Sequence, residues 1–372
     1  MRAPADAGDA ATTDSRVAVD AAVDAPVDGG PDSAVSGSGC PAALGLDCRW
    51  SWRVRLTFDN SAQGEALGTF PVLVVLDSGV IDYAQTIDQG QDIRFVTSDL
   101  STVLAHEIER WDETRASYVW LAVPRIEAGS ATDHVYMYYG HPAAADAQDA
   151  PGVWDDAFRL VWHLTGSSAD STQNANGGRN MGSTAVAGAI AGARGFASAS
   201  RQYVDSDYAE HLDVMTVEVW ARGTASPQAT RNVGLVGRNT NYQLNWDHFG
   251  AFRGAFGLQT GTTWHSVTYL PAAADTWYYL VGTYDGDAIR AYRDGSLVAT
   301  NTDPGGSPAA DTFPVRVGTN PDPSAGWFHD GAIDEVRISD VARSADWIAA
   351  QHLSMTNRFI RYGTPESVSA TF

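Results

Sequence analysis

Between Thr276 and Thr300 large apolar side chains recur at every second position, and the alternation breaks twice, at Asp285-Gly286 and at Asp294-Gly295. A period of two belongs to an extended strand with one buried face. Asp-Gly supplies the positive φ that a two-residue reversal requires. The segment is therefore predicted as two consecutive β-hairpins. Arg53–Phe58, Asp92–Val96, His106–Trp111, Tyr118–Val123 and His134–Tyr139 show the same alternation, whereas Pro71–Leu76 is an unbroken apolar run suited to a strand covered on both faces. Val214–Ala221 and Gly331–Ile338 read as further strands. Ser344 before Ala-Asp-Trp-Ile-Ala-Ala is an N-cap and predicts one short terminal helix. The expected fold is all-β, with two antiparallel β-sandwiches joined by the short Ala/Asp segment Ala143–Ala150.

Composition changes the picture at the N-terminus. Residues 1–49 carry no aromatic side chain, and eight aspartates stand there against three arginines. Such a segment repels itself and has too little apolar surface to offset the entropy of folding, so an extended acidic spacer is expected. The expected boundaries are 1–49 for the spacer, 50–142 for the first sandwich, 153–350 for the second and 351–372 for a C-terminal tail. The whole chain has a formal charge of -21 and no lysine. That charge speaks against nucleic acid, which needs a basic surface to release counterions. Membrane insertion is not expected either, because the Ala/Gly run Thr184–Ala199 contains Arg194 and few large apolar side chains.

Cys40 and Cys48 are the two cysteines of the chain. Their spacing suits a small disulfide loop, with free thiols as the alternative and zinc disfavoured for want of a nearby histidine. A disulfide would imply an oxidising compartment. No apolar leader follows Met1 in this sequence. A secreted or cell-surface location is nevertheless expected, from the spacer and the two sandwiches.

Five segments in order, Trp52-Arg-Val-Arg-Leu-Thr57, Asp92-Ile-Arg-Phe95, Glu107-Ile-Glu-Arg-Trp111, Val119-Trp-Leu-Ala-Val-Pro124 and Val135-Tyr-Met-Tyr-Tyr-Gly140, resemble the bacterial domain of unknown function DUF2341. Further on, Phe158–Leu164, the loop Ala169–Gly178, Val214–Ala221, the double hairpin and Gly331–Ile338 resemble a LamG-like jelly roll of the concanavalin A-like lectin/glucanase superfamily. The second resemblance implies two sheets, one of them concave. It also implies a calcium ion shared between the oxygen-rich loop (Asp170, Asn174, Asn176) and Asp334 in the Ile333-Asp-Glu335 strand. An Asx-type turn is the competing reading of that loop.

Catalytic chemistry finds little support in the residues. Glu107 and Glu109 lie two apart on one strand, roughly 6–7 Å from each other, a separation compatible with a glycosidase pair. An outward polar face with Ile108 inward explains them as well. Glu218 stands alone, and Asp334 and Glu335, being adjacent, are expected on opposite faces. For ligand recognition Tyr242, Trp246, Trp264 and His265, with Trp327, offer ring platforms near Asn239, Asn241, Asn245, Asp247 and His248. The resulting expectation is a non-catalytic binding or adhesion protein whose jelly roll takes a glycan or a surface protein. A polysaccharide hydrolase and a structural envelope component are the alternatives.

Overall fold

The computed structural model describes residues 49–224, 233–247, 254–268 and 273–368. The acidic spacer and both cysteines, Cys40 and Cys48, lie outside the described residues.

Four antiparallel sheets are stacked. The first runs in the order Ile360–Tyr362, Trp52–Phe58, His134–Tyr139, Arg94–Thr97, Val103–Leu104, with Glu366–Ser367 also paired to Trp52–Phe58. The second has three strands, Leu67–Leu76, Ser117–Ile126 and His106–Arg110. The third runs Thr184–Ala187, Gly192–Phe196, Gly331–Ser339, Met215–Gly223, Tyr278–Tyr284, Ile289–Arg293, Ser296–Asn301, and Phe158–Trp162 also pairs with Gly331–Ser339. The fourth runs Thr263–Thr268, Ala255–Thr260, Tyr242–Asp247, Val233–Arg238, Arg316–Val317, Tyr203–Ser206, Gly178–Met181.

The local expectations hold where turn chemistry and period agree. Tyr278–Tyr284, Ile289–Arg293 and Ser296–Asn301 form the double hairpin. Its second turn places Asp294 at φ 50° and Gly295 at φ 80°, the left-handed pair that a two-residue reversal requires. Ser344 caps the helix Ala345–Met355, its Oγ accepting from the Trp347 amide at 3.0 Å.

The burial pattern decides how the sheets stack. Between the third and fourth sheets lies a core that includes Trp162, Val217, Leu235, Tyr242, Phe256 and Ile333. The other core begins between the first and second sheets with Phe58, Phe95, Met137 and Phe70. It then continues through Trp120 to Trp154, Trp220, Tyr279 and Tyr292 of the second sandwich. Both faces of the second sheet are therefore covered, which is why Leu67–Leu76 and Ser117–Ile126 are buried almost throughout. The outward face of the third sheet, with Trp220, Tyr279 and Tyr292, is packed against the first sandwich.

Within the expected tail, residues 351–368 carry regular structure. The helix Ala345–Met355 crosses the expected boundary at 350 and covers the edge strand Leu67–Leu76, where Ser354 Oγ accepts from the Leu73 amide at 2.8 Å and Trp347 meets Phe70 edge-on at 5.3 Å. Ile360–Tyr362 then pairs with Leu56–Phe58. The last described strands thus complete the sheet that the first described strand begins.

His329 is sealed between Phe196 and Trp246, its Nε2 donating to the Arg222 carbonyl at 3.2 Å. Burial drops its pKa to about 4. Between pH 6.5 and 4 the unfolded chain binds this proton and the folded chain does not, so the group removes stability as pH falls through that window. His329→Gln should relieve about 3 kcal/mol of that acid penalty. Urea midpoints of wild type and variant at pH 7.5 and pH 4.5 measure it, and a gap that stays constant with pH contradicts the assignment.

Candidate functional site

On the strand His106–Arg110 alternation sends His106 toward Phe95 of the first sheet, with ring centroids 5.5 Å apart, and Glu107 and Glu109 to the other face. That face is not the solvated surface expected from the sequence. The second sandwich covers it, leaving the Glu107 and Glu109 side chains only 13 % and 2 % exposed.

The opposing layer supplies the partners. His163 follows the strand Phe158–Trp162, with Nδ1 2.7 Å from Glu335 Oε1 and 3.6 Å from Glu109 Oε2, and Nε2 3.3 Å from Glu107 Oε2. Asp334 and Glu335 were expected to diverge. Instead the strand Gly331–Ser339 shifts register against Glu218 and Trp220, and Glu335 adopts φ 50°. This bulge absorbs one residue. Asp334 now pairs beside Trp220 while Arg337 pairs beside Glu218, so Asp334, Glu335, Arg337, Glu218 and Tyr279 all reach the seam between the sandwiches.

The hydrogen bonds are well organised around this seam. Glu109 Oε2 accepts from Trp120 Nε1 at 2.9 Å and Oε1 from Thr165 Oγ1 at 2.7 Å. Glu107 accepts from Ser171 Oγ at 2.6 Å and Trp154 Nε1 at 3.1 Å. Glu335 accepts from Arg337 at 2.5 Å, and the Arg337 guanidinium lies 4.3 Å from the Trp120 ring centroid. Tyr279 donates to Glu218.

Five carboxyls face one arginine and one histidine, so charge must be distributed unevenly. Burial pushes Glu109 up to about 7, with Glu335 adding to the effect. Burial likewise raises Asp334 well above the usual range, and it raises Glu218 against the opposing pull of Arg337. Burial acts on Glu107 and Glu335 too, but His163 outweighs it in both, aided by Arg337 at Glu335, and holds them below the usual range. Burial would lower His163, yet Glu335, Glu107 and Glu109 together lift it well above an ordinary imidazole. Burial thus favours the protonated forms of Glu109, Asp334 and Glu218, while His163 and Arg337 favour the ionised forms of Glu107 and Glu335. The donor atoms of Glu109, His163 and Glu335 all lie within 4.8 Å of one another.

A second feature is open to solvent. At the end of the third sheet a cleft of about 370 Å³ is lined by Thr184, Phe196, Gln202, Arg222, Asp275 and Asp330, among others. Asp330 is engaged by Thr224 Oγ1 at 3.0 Å. Arg222 stacks on Trp277, its guanidinium carbon 5.2 Å from the ring centroid.

The residues singled out from the sequence fall elsewhere. Tyr242 and Trp246 are buried in the jelly-roll core, so neither presents a ring face to a ligand; alternation on a strand with one covered face put them inside. Asn241 and Asn245 are buried with them. Trp264 keeps 37 % of its surface exposed on the edge strand Thr263–Thr268, and His265 beside it is half-buried. His248 lies outside the described residues. Asp170 is committed to backbone and turn, accepting from Val161 N at 2.9 Å, Thr172 N at 3.0 Å, Thr172 Oγ1 at 2.9 Å and Asn176 N at 2.7 Å. Asn174 and Asn176 donate to the Phe158 and Arg159 carbonyls, both at 2.9 Å. Asp334 accepts from the Ile190 amide at 2.9 Å instead of joining them. The loop has the bonding of the Asx-type turn weighed in the sequence, and Asp334 is bonded apart from Asp170, Asn174 and Asn176.

Sequence reasoning missed His163, Arg337 and the role of Glu335. A signal was present: each stands in a strand region rich in apolar residues, Phe158–Leu164 and Ala332–Ile338. A charge in such a run has to meet a partner on burial.

Comparison with known proteins agrees with this architecture. Residues 198–349 match the family described as concanavalin A-like lectin/glucanases superfamily, and residues 89–173 match the domain of unknown function DUF2341. The second match runs on through Phe158–Trp162 and His163, which belong structurally to the jelly roll. No curated protein matches the chain. Among solved structures, the binding domain of Paraclostridial Mosquitocidal Protein 1 is similar over 54 % of this chain and 53 % of that one, at 11 % identity and a TM-score of 0.46. Domain 4 of AbnA, a GH43 extracellular arabinanase from Geobacillus stearothermophilus, in complex with arabinotriose, covers 52 % of this chain and 98 % of its own at 16 % identity and a TM-score of 0.43. The binding domain of botulinum neurotoxin DC in complex with SialylT covers 54 % and 52 % at 11 % identity and a TM-score of 0.41. This chain thus spans about half the length of both toxin chains. At these scores nothing about its ligand follows from them.

Proposed function

We propose that the chain is a non-catalytic carbohydrate-binding protein that works outside the cell, and that the open cleft around Arg222 and Asp275 takes the glycan. One observation carries the reading. Among the described residues neither the Arg222 guanidinium nor the Asp275 carboxylate has a hydrogen-bond partner for its polar end, and both line an accessible cleft. Planar charged groups of this kind pair with the neighbouring hydroxyls of a sugar. The match to a lectin/glucanase superfamily fits the same chemistry. The acid pair singled out from the sequence, Glu107 and Glu109, lies covered in the seam between the sandwiches, which weighs against a hydrolase built on it.

Glycan-array screening followed by calorimetry tests the proposal. Arg222→Ala should weaken binding at least tenfold, about 1.4 kcal/mol. Trp264→Ala should leave it unchanged. Unaltered affinity in Arg222→Ala, or release of reducing sugar by the wild type, overturns the reading. Capture of a surface protein with no glycan bound would favour adhesion instead.

A further inference from the structure

We propose that Glu109, His163 and Glu335 form a binding site for one divalent transition-metal cation, of which Zn²⁺ is the best fit, and that the cation clamps the two sandwiches together. Glu109 comes from the first sandwich, His163 and Glu335 from the second, so a single ion would bridge the seam.

The geometry supports this in three independent ways. His163 turns Nδ1 toward both Glu335 Oε1 at 2.7 Å and Glu109 Oε2 at 3.6 Å. Tetrahedral donors around zinc stand about 3.4 Å apart, so movements of roughly an ångström admit the ion. Next, every donor is braced from outside. Glu107 receives Nε2 of the imidazole, Trp120 and Thr165 bond Glu109, and Arg337 bonds the other oxygen of Glu335. A carboxylate on the far nitrogen of a metal-binding histidine is the usual outer partner, fixing tautomer and ring plane. Finally, Asp334 is fully buried on the same face, adjacent to Glu335, and its Oδ1 has no hydrogen-bond partner. That buried, unpaired carboxylate oxygen marks a place on this face where polar capacity is left unmet.

Donor chemistry selects the ion. One imidazole with carboxylates suits zinc or manganese, whereas calcium wants six to eight oxygens and gains little from nitrogen. Access runs along the Glu107 and His163 side, where 13 % and 10 % of the side chains remain exposed. Reacting atoms have no room at the covered donors, so the role is structural.

The test uses the full chain, stripped with chelator and titrated with ZnCl₂. Expected results are one zinc per chain by elemental analysis, a raised melting temperature, and loss of binding by at least a hundredfold in Glu109→Gln and in His163→Gln. Glu107→Gln should keep the stoichiometry and weaken affinity about 10–100-fold, as an outer partner does. Should both ligand variants fail to fold, the His163 imidazole signal in wild-type nitrogen NMR decides: a zinc-dependent Nδ1 shift supports the site, and an unmoved signal overturns it. Absence of zinc uptake by the wild type, or equal uptake by folded His163→Gln, also overturns it. A melting shift with CaCl₂ but none with ZnCl₂ does the same and returns the cation to an oxygen-only loop.

Discussion

Replacing Arg337 with methionine should destabilise the protein by about 3–5 kcal/mol, the usual cost of leaving one half of a buried ion pair behind. Arg337 is 1 % exposed, neutralises Glu335 and stacks on Trp120, so its loss strands a carboxylate in the seam. Glu335 can take up a proton to limit the damage, which makes the deficit smaller at pH 5 than at pH 8. Arg337→Lys should recover part of the loss, because the charge returns without the planar stack. Urea midpoints measured on the three proteins decide the matter. A penalty below about 1 kcal/mol would place Arg337 in the class of surface pairs and remove the argument for a charge-balanced seam.

A comparable loss is expected far along the chain. Phe359 is fully buried, with its ring 6.2 Å from Phe58 and 5.7 Å from Phe70, and its carbonyl accepts from the Asp59 amide at 2.8 Å. Phe359→Ala should cost about 3–5 kcal/mol through the cavity it leaves. Its effect should also spread. One core runs from Phe58 to Tyr292, so calorimetry should show both sandwiches melting together and shifting together in the variant. Two separate transitions, only one of them moved by Phe359→Ala, would mean that the sandwiches are energetically independent. By the same reasoning residues 49–150 expressed alone should not fold, since the strand Ile360–Tyr362 and the helix Ala345–Met355 are missing.

These two expectations mark where the sequence was readable and where it was not. Glu107 and Glu109 were visible as a pair on one face, but the pattern around them equally described a wet strand. Whether an alternating strand is half-solvated or covered on both sides depends on what is laid over it, and that layer, with His163 and Glu335, comes from distant parts of the chain. Asp334 and Glu335 illustrate another limit. A strict period of two separates neighbours, and only the bulge with Glu335 in the left-handed region brings both to one side. Tyr242 and Trp246 show the reverse error: aromatic residues beside asparagines suggested a ligand face, yet Asn241 and Asn245 are themselves buried.

By itself the sequence determined the class of the chain, most strand positions, the Asp-Gly reversals, the Ser344 cap and both family resemblances. Each of these is set within about ten residues, by side-chain period, turn chemistry or capping. The tertiary structure alone decided that the jelly roll's outer sheet is covered, that the final strands belong to the first sheet, and that three acids converge on one histidine. Those outcomes depend on which apolar faces find each other across long separations. Local pattern marks a face as apolar without naming its partner.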